Sequence, residues 1–350
     1  MTVGRSEARV DLAAVRHNAA VLRPRDTRLA AVVKADAYGH GVVPVARAAL
    51  DGGADWLAVA TAGEATALRA AGLQGVRILV LGALTPDELR QALAADADVV
   101  AWSEAFLDAA GPRVHVKLDT GLGRLGTRDP RQATALAERA GGRLAGLMTH
   151  FATADEPGDA FFGEQLERFA AWAAPLRRDG VLVHAANSAA VLREPASHFD
   201  MVRAGIGLYG LDPFHEDGTR HELRPALSWR SWVAAVKRAQ PGESAGYARR
   251  FVARRATDIA TIPVGYGDGY RRGLTNNADV LVGGRRFPVA GTVSMDNITV
   301  DLGTDHGVRV GDEVLLLGEG LPAEELAQRL GTITYELTCG ISPRVPRVHA

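Results

Sequence analysis

Of the 40 basic residues in this 350-residue chain, only Lys34, Lys117 and Lys237 are lysine. Arginine stays charged and is a poor nucleophile, so a retained lysine marks a place where a deprotonatable amine has a use. Lys34 stands in "LAAVVKADAYGHG" (29–41), where an apolar, strand-like run ends on an ammonium group and passes into a Gly-flanked turn. Other polar residues close or follow apolar runs in the same way. Tyr38 follows Lys34, Arg124 lies in "DTGLGRLG", and His150 lies in "MTHFATAD". Asn187 and Ser188 lie in "HAANSAA", and Arg203 precedes Gly205 and Ile206 in "VRAGIGLYG". An amine forms Schiff bases, and backbone N–H groups among small residues cradle phosphates.

These residues must be positioned by regular elements, and the first two-thirds of the chain supplies them. Eight apolar, β-branched runs occur at 29–33, 55–60, 77–82, 97–102, 113–119, 144–151, 181–186 and 201–208. Between most of them lie Ala/Leu/Arg segments at helical spacing, such as "TPDELRQALAA", where Pro and acids suit a helix N-terminus. Continuous rather than alternating apolar runs suit parallel strands covered on both faces. Eight such strands alternating with helices predict a (β/α)8 barrel over residues 1–224. An open doubly wound sheet competes, but no Gly-rich dinucleotide fingerprint follows the first strand. From about residue 225 the texture changes to short strands separated by Gly, Asp and Asn turns, including the tight hairpin "VGGRRF". Residues 225–350 are therefore predicted as a second, mostly β domain, with "LRPAL" at the junction.

In a barrel the functional groups gather at the C-terminal strand ends, where the residues above all fall. An amine, a phosphate cradle after the seventh and eighth strands, a histidine and an arginine on one mouth form the set that pyridoxal phosphate uses. The same set fits an aldolase forming a Schiff base directly with its substrate. Singly, each signal also has a plain reading: His150 as a satisfied structural histidine, "GLGRLG" and "IPVGYGDGY" as turns.

Composition narrows the class. Apolar content of 47%, charged content of 23% and a net charge of -1 describe an ordinary globular protein, with no basic excess for nucleic acid. The single cysteine, Cys339, excludes an internal disulfide framework and fits a reducing compartment. The N-terminus has no apolar signal core and no run reaches membrane length, so a cytoplasmic location is expected.

Nine motifs, "AVVKADAYGHG", "VKLDTGLGRLG", "THFATAD", "HAANSAA", "VRAGIGLYG", "GYARRF", "IPVGYGDG", "SMDN" and "TYELTCGISPRVPR", follow one another from residue 31 to 347. Together they closely resemble alanine racemases, in that family's order. The resemblance implies a pyridoxal phosphate barrel of fold type III followed by a β domain, working as a homodimer with composite active sites, and no metal. It implies that Lys34 holds the cofactor as a Schiff base, that Tyr38, Ser188, Gly205, Ile206 and Tyr335 hold its phosphate, and that Arg203 faces the ring nitrogen. Tyr247 is implied as the second catalytic base, reaching in from the other subunit and supported by His150 and Arg203. Arg124 is implied near the substrate carboxylate, Met295 as a backbone N–H donor, and Lys117 as a lysine that some members carbamylate. The implied reaction is interconversion of L- and D-alanine, supplying D-alanine for peptidoglycan.

The chain departs from the pattern in "GYARRF", where Ala248 stands in place of a common glycine and "RRF" where a threonine is common. Racemisation of serine, lysine or another amino acid stays open. A related barrel decarboxylase is disfavoured by Arg203 where an acid is expected, and a non-catalytic cofactor carrier by the large second domain.

Overall fold

The computed structural model describes residues 4–216 and 218–350, in two units. One is Ala13–Arg224; the other combines the chain up to Leu12 with Pro225–Ala350. The first strand, β1 (Glu7–Val10), belongs to the latter. It pairs antiparallel with β10 (Leu227–Trp232) and parallel with β19 (Arg347–His349). The predicted boundaries assign residues 1–12 to the barrel. Of these, the described residues 4–12 cluster with the β-rich unit, because the edges that β1 fills lie more than 200 residues away in sequence.

The barrel unit holds eight parallel strands: β2 (Arg28–Val32), β3 (Trp56–Val59), β4 (Arg77–Val80), β5 (Asp98–Ala101), β6 (Val114–Lys117), β7 (Leu144–Met148), β8 (Leu182–His184) and β9 (Met201–Ala204). They are the eight apolar runs of the sequence. Their ladder runs β8-β7-β6-β5-β4-β3-β2-β9. The seam between β8 and β9 is bridged where Asp200 N donates to Val183 O and Arg203 N donates to Ala186 O, both at 2.9 Å. The strands β3, β5, β6 and β9 are buried along their whole length, as covering on both faces requires. Helices return the chain between them. Those starting at Ala62 and Pro86 are opened by capping boxes, Thr61 with Glu64 and Thr85 with Glu88.

The second unit is built from a six-stranded sheet, a three-stranded sheet and a two-stranded ribbon. In β10, "LSWRSW", buried and half-buried residues alternate, the mark of a sheet with one covered face. The hairpin of β15 (Asp279–Val282) and β16 (Arg285–Pro288) turns on Gly283 and Gly284, both at positive φ, as a two-residue type I′ connection needs. Among the described residues no helix is long and apolar enough to cross a membrane.

Candidate active site

β2 carries the chain to Val33, whose N–H donates to Ala58 O at 2.9 Å, and Lys34 follows at the strand's C-terminal end. The next four residues, Ala35 to Tyr38, all lie in the left-handed helical region, with φ between 52° and 54°. None is glycine, and each such residue costs about 1–2 kcal/mol in this conformation. Compensating bonds hold the turn. Ala37 N donates to Val33 O at 3.0 Å, Ala35 N to Glu64 Oε1 at 2.6 Å, and Val42 N to Asp36 Oδ1 at 2.8 Å. The other Glu64 oxygen accepts from Ala60 N, so the carboxylate that caps the following helix also anchors the residue after Lys34. The turn brings the ring of Tyr38 to 4.9 Å from that of Tyr209, whose hydroxyl donates to Val32 O at 3.0 Å.

Tyr38 then meets the loop after β9. A Cβ on Gly205 would fall 2.5 Å from the Tyr38 hydroxyl, so only glycine leaves that space open. Ser188 Oγ accepts from Gly205 N at 2.9 Å and Gly207 N at 3.2 Å, fixing the same loop from the start of the helix Ser188–Arg193. That helix is capped by Asn187, whose Oδ1 accepts from Ala190 N. Tyr38, Ser188 and Gly205 therefore meet at one small-residue loop, with Ile206 next in the chain.

Arg203, inward on β9, is buried. Its Nη1 donates to His184 Nδ1 at 2.7 Å; its Nη2 donates to Thr149 O at 2.7 Å and Ala185 O at 2.9 Å, and lies 3.3 Å from His150 Nδ1. Burial lowers its pKa to about 10, so it remains a cation at neutral pH. His150 is the opposite case. Burial, then the positive charges of Arg203, Lys117, Arg124 and Lys34, press its pKa well below the ordinary 6.5, and the imidazole is neutral. That list of charges also places four of the predicted residues around one ring.

Lys117 ends β6 and is buried. Burial, then Arg203 and Arg124, bring its pKa down from 10.5 to about 8, against the pull of Asp119. Arg124 rides on a loop that the sequence left unexplained. Asp119 Oδ1 accepts from Gly121 N and Gly123 N at 3.1 Å, while Arg128 Nε donates to Oδ2. These bonds outweigh burial and hold the Asp119 carboxyl below its usual range.

The remaining predicted residues belong to the β-rich unit. Tyr247 is 72% exposed and Met295 53%. They share a loop cluster: Thr292 Oγ1 donates to Tyr247 O at 2.7 Å, and Gly267 N, next to Tyr266, donates to Met295 O at 2.9 Å. Tyr335 lies on the helix Thr334–Cys339, and just beyond that helix Ser342 bonds back to Asp268 and Gly267 of the same loop. Ala248 adopts φ 57° and ψ 14°, in the left-handed region that glycine occupies without strain. Ala248→Gly is therefore expected to stabilise the unit by up to about 1 kcal/mol, the relief of left-handed strain less the added chain entropy. Denaturant midpoints check this, and a lower midpoint would show that the turn is not strained.

Sequence reasoning missed Glu64, Asp119, Tyr209 and His184. Each supports a neighbour rather than standing at a strand end beside a glycine. His184 carries a visible signal, a histidine within an apolar run.

Fold and site together define a (β/α)8 barrel with lysines and arginines gathered about one histidine, and an appended β-rich unit. The N-terminal domain model of alanine racemase matches residues 10–213 and the C-terminal domain model residues 226–349. The chain is 44% identical to the alanine racemase of Symbiobacterium thermophilum, with 98% of this chain and 96% of that one covered. It is 43% identical to that of Frankia casuarinae over the same shares. The alanine racemase structure from Streptomyces lavendulae superposes with a TM-score of 0.91 at 40% identity, covering 100% of this chain and 98% of the other. The chain belongs to the alanine racemase family.

Proposed function

We propose that the protein interconverts L- and D-alanine with pyridoxal phosphate held at the barrel mouth. The observation that carries this reading is the convergence of Lys34, Lys117, Arg124 and Arg203 on a neutral His150, beside a cradle that a single Cβ would close. When bound, the cofactor supplies an electron-withdrawing ring that makes the amino acid's α-proton removable.

The residues divide that work. Lys34 Nζ would hold the cofactor covalently and, as a free amine, would move the α-proton on one face. Tyr38, Ser188, Gly205 and Ile206, with Tyr335, hold the phosphate. Arg203 has its two Nη groups committed to protein acceptors, which leaves Nε–H as the donor for the ring nitrogen. Arginine only donates, so it does not take a proton from that nitrogen. Arg124 meets the substrate carboxylate, with the Met295 N–H beside it. Tyr247 Oη moves the proton on the opposite face, supplied by the second subunit of a homodimer. A free tyrosine ionises near pH 10, so a tyrosine base needs a donor with positive charge behind it. His150 supplies that donor. Its Nδ1 faces the Arg203 guanidinium at 3.3 Å and so presents a lone pair there, which leaves the hydrogen on Nε2. Family membership supports cytoplasmic supply of D-alanine for peptidoglycan as the role.

A chiral assay across amino acids tests the reading. L-alanine is expected to be racemised fastest, and only with pyridoxal phosphate. Faster turnover of serine or lysine would overturn the substrate assignment, and no racemisation of any amino acid would overturn the reaction.

Lys117 gives a second test. Its amine titrates near 10.5 when unfolded and about 8 when folded, so between these values the unfolded chain binds more protons. Stability should therefore rise with pH across that window, by about 3 kcal/mol in all, and the full penalty applies below pH 8. Carbamylation, which turns the buried cation into an anion facing Arg124 and Arg203, should flatten the slope. Urea unfolding from pH 7.5 to 10.5 checks both, with and without bicarbonate. Lys117→Met should show neither slope nor bicarbonate effect. A parental protein without the slope in the absence of bicarbonate would contradict the low pKa.

A further inference from the structure

Behind Arg203 a line of buried polar groups crosses the barrel interior to the N-terminal ends of the strands. His184 Nε2 lies 2.8 Å from His115 Nδ1, and His115 Nε2 lies 3.1 Å from Asp98 Oδ2. Asp98, His115 and His184 are all fully buried. At the far end Arg77 and Arg113 donate to Asp98.

The hydrogens in this line have one consistent arrangement. Arginine has no acceptor, so at 2.7 Å from Arg203 Nη1 the His184 Nδ1 must present its lone pair. The His184 hydrogen is then on Nε2 and donates to His115 Nδ1, whose own hydrogen is on Nε2 and donates to Asp98. Starting from Asp98 gives the same answer, because an ionised carboxylate only accepts. Burial would raise the Asp98 pKa, but the bonds from His115, Arg77 and Arg113 win and hold it at about 2. The His184 pKa is pushed well below 6.5 by burial and then by Arg203, so that ring is neutral. Space is reserved for the contact between the rings. A Cβ on Gly146 would fall 2.2 Å from His115 Nδ1.

We infer that Asp98, His115 and His184 are positioning residues for Arg203, a one-way chain of donors in which the carboxylate at the far end of the barrel sets both histidine tautomers and so orients the arginine. The chain stands on geometry alone; its consequence for the cofactor rests on the role proposed above for Arg203. Asp98→Asn reverses the logic. An asparagine oxygen in the Oδ1 place keeps the bonds from Arg77 Nε and Arg113 Nε and gives up only the one from Arg77 Nη2 to Oδ2; its NH2 then faces His115 Nε2, and both histidines must shift their hydrogen to Nδ1. His184 Nδ1–H then points at an Arg203 N–H, and the guanidinium moves.

The test is 15N NMR of histidine-labelled holoenzyme, with resonances assigned through His115→Gln and His184→Gln. The unsubstituted protein should show both rings neutral, with hydrogen on Nε2. A hydrogen on Nδ1 of either ring would overturn the chain, and this readout needs no variant to fold. Asp98→Asn should retain pyridoxal phosphate, move the His184 hydrogen to Nδ1, change the absorbance spectrum of the bound cofactor, and lower kcat on the order of 10- to 100-fold with a smaller change in KM, the range seen for outer partners of a functional group. A folded Asp98→Asn with parental kcat and spectrum would overturn the inference. Correct tautomers in a protein that racemises nothing would instead refute the proposed function and leave the chain standing.

Discussion

Lys34→Ala is expected to fold, to lose covalently held pyridoxal phosphate, and to racemise alanine at least about 10⁴-fold more slowly, the upper range for loss of one acid/base group. Three lysines compete for this role. Lys237 is exposed on β11 (Ala235–Ala239) of the β-rich unit, away from the cradle residues in sequence and in unit. Lys117 is the serious rival, because burial and neighbouring arginines bring its amine down to about 8. What separates the two is the cradle. Lys34 opens the left-handed turn whose last residue, Tyr38, touches the space above Gly205. Borohydride reduction of holoenzyme, followed by peptide mapping, should place the label on "VVKADAY". Label on the Lys117 peptide would transfer the role.

Tyr247→Phe is expected to slow racemisation by about 10²–10⁴-fold while leaving cofactor binding intact. Its side chain is 72% exposed, so removing the hydroxyl should change stability by less than about 0.5 kcal/mol. An effect on rate without one on stability or cofactor content would mark a proton-transfer group. Mixed dimers test the subunit arrangement. Equal amounts of Lys34→Ala and Tyr247→Phe chains give mixed dimers for half the population, each with one intact composite site of two. Recovery to roughly a quarter of parental activity is expected for a two-fold dimer. No recovery after proven subunit exchange would mean that both bases come from one chain.

The barrel was legible because its strands are covered on both faces and so appear as continuous apolar runs, several of them ending on or followed by a residue of distinct chemistry. The hairpin at Gly283 and Gly284 was legible because its turn demands glycine. What escaped reading depends on distant partners. "EARV" looks like any short amphipathic segment until β10 and β19 provide its edges. "ADAY" has no glycine to announce four left-handed residues; the turn is imposed by Glu64, Asp36 and the rings around Tyr209. His115 and His184 sit inside apolar runs, where only the folded barrel joins them to Asp98 and Arg203.

The most direct test of two bases on opposite faces is racemisation of L-alanine in D2O with holoenzyme, sampled early. Lys34 and Tyr247 would each exchange their proton with solvent, and the base that returns the proton would differ from the one that removes it. The first D-alanine formed should therefore carry deuterium at the α-carbon, while the remaining L-alanine stays largely protiated. D-alanine retaining the original proton, or deuterium entering L-alanine faster than D-alanine appears, would contradict the two-base account.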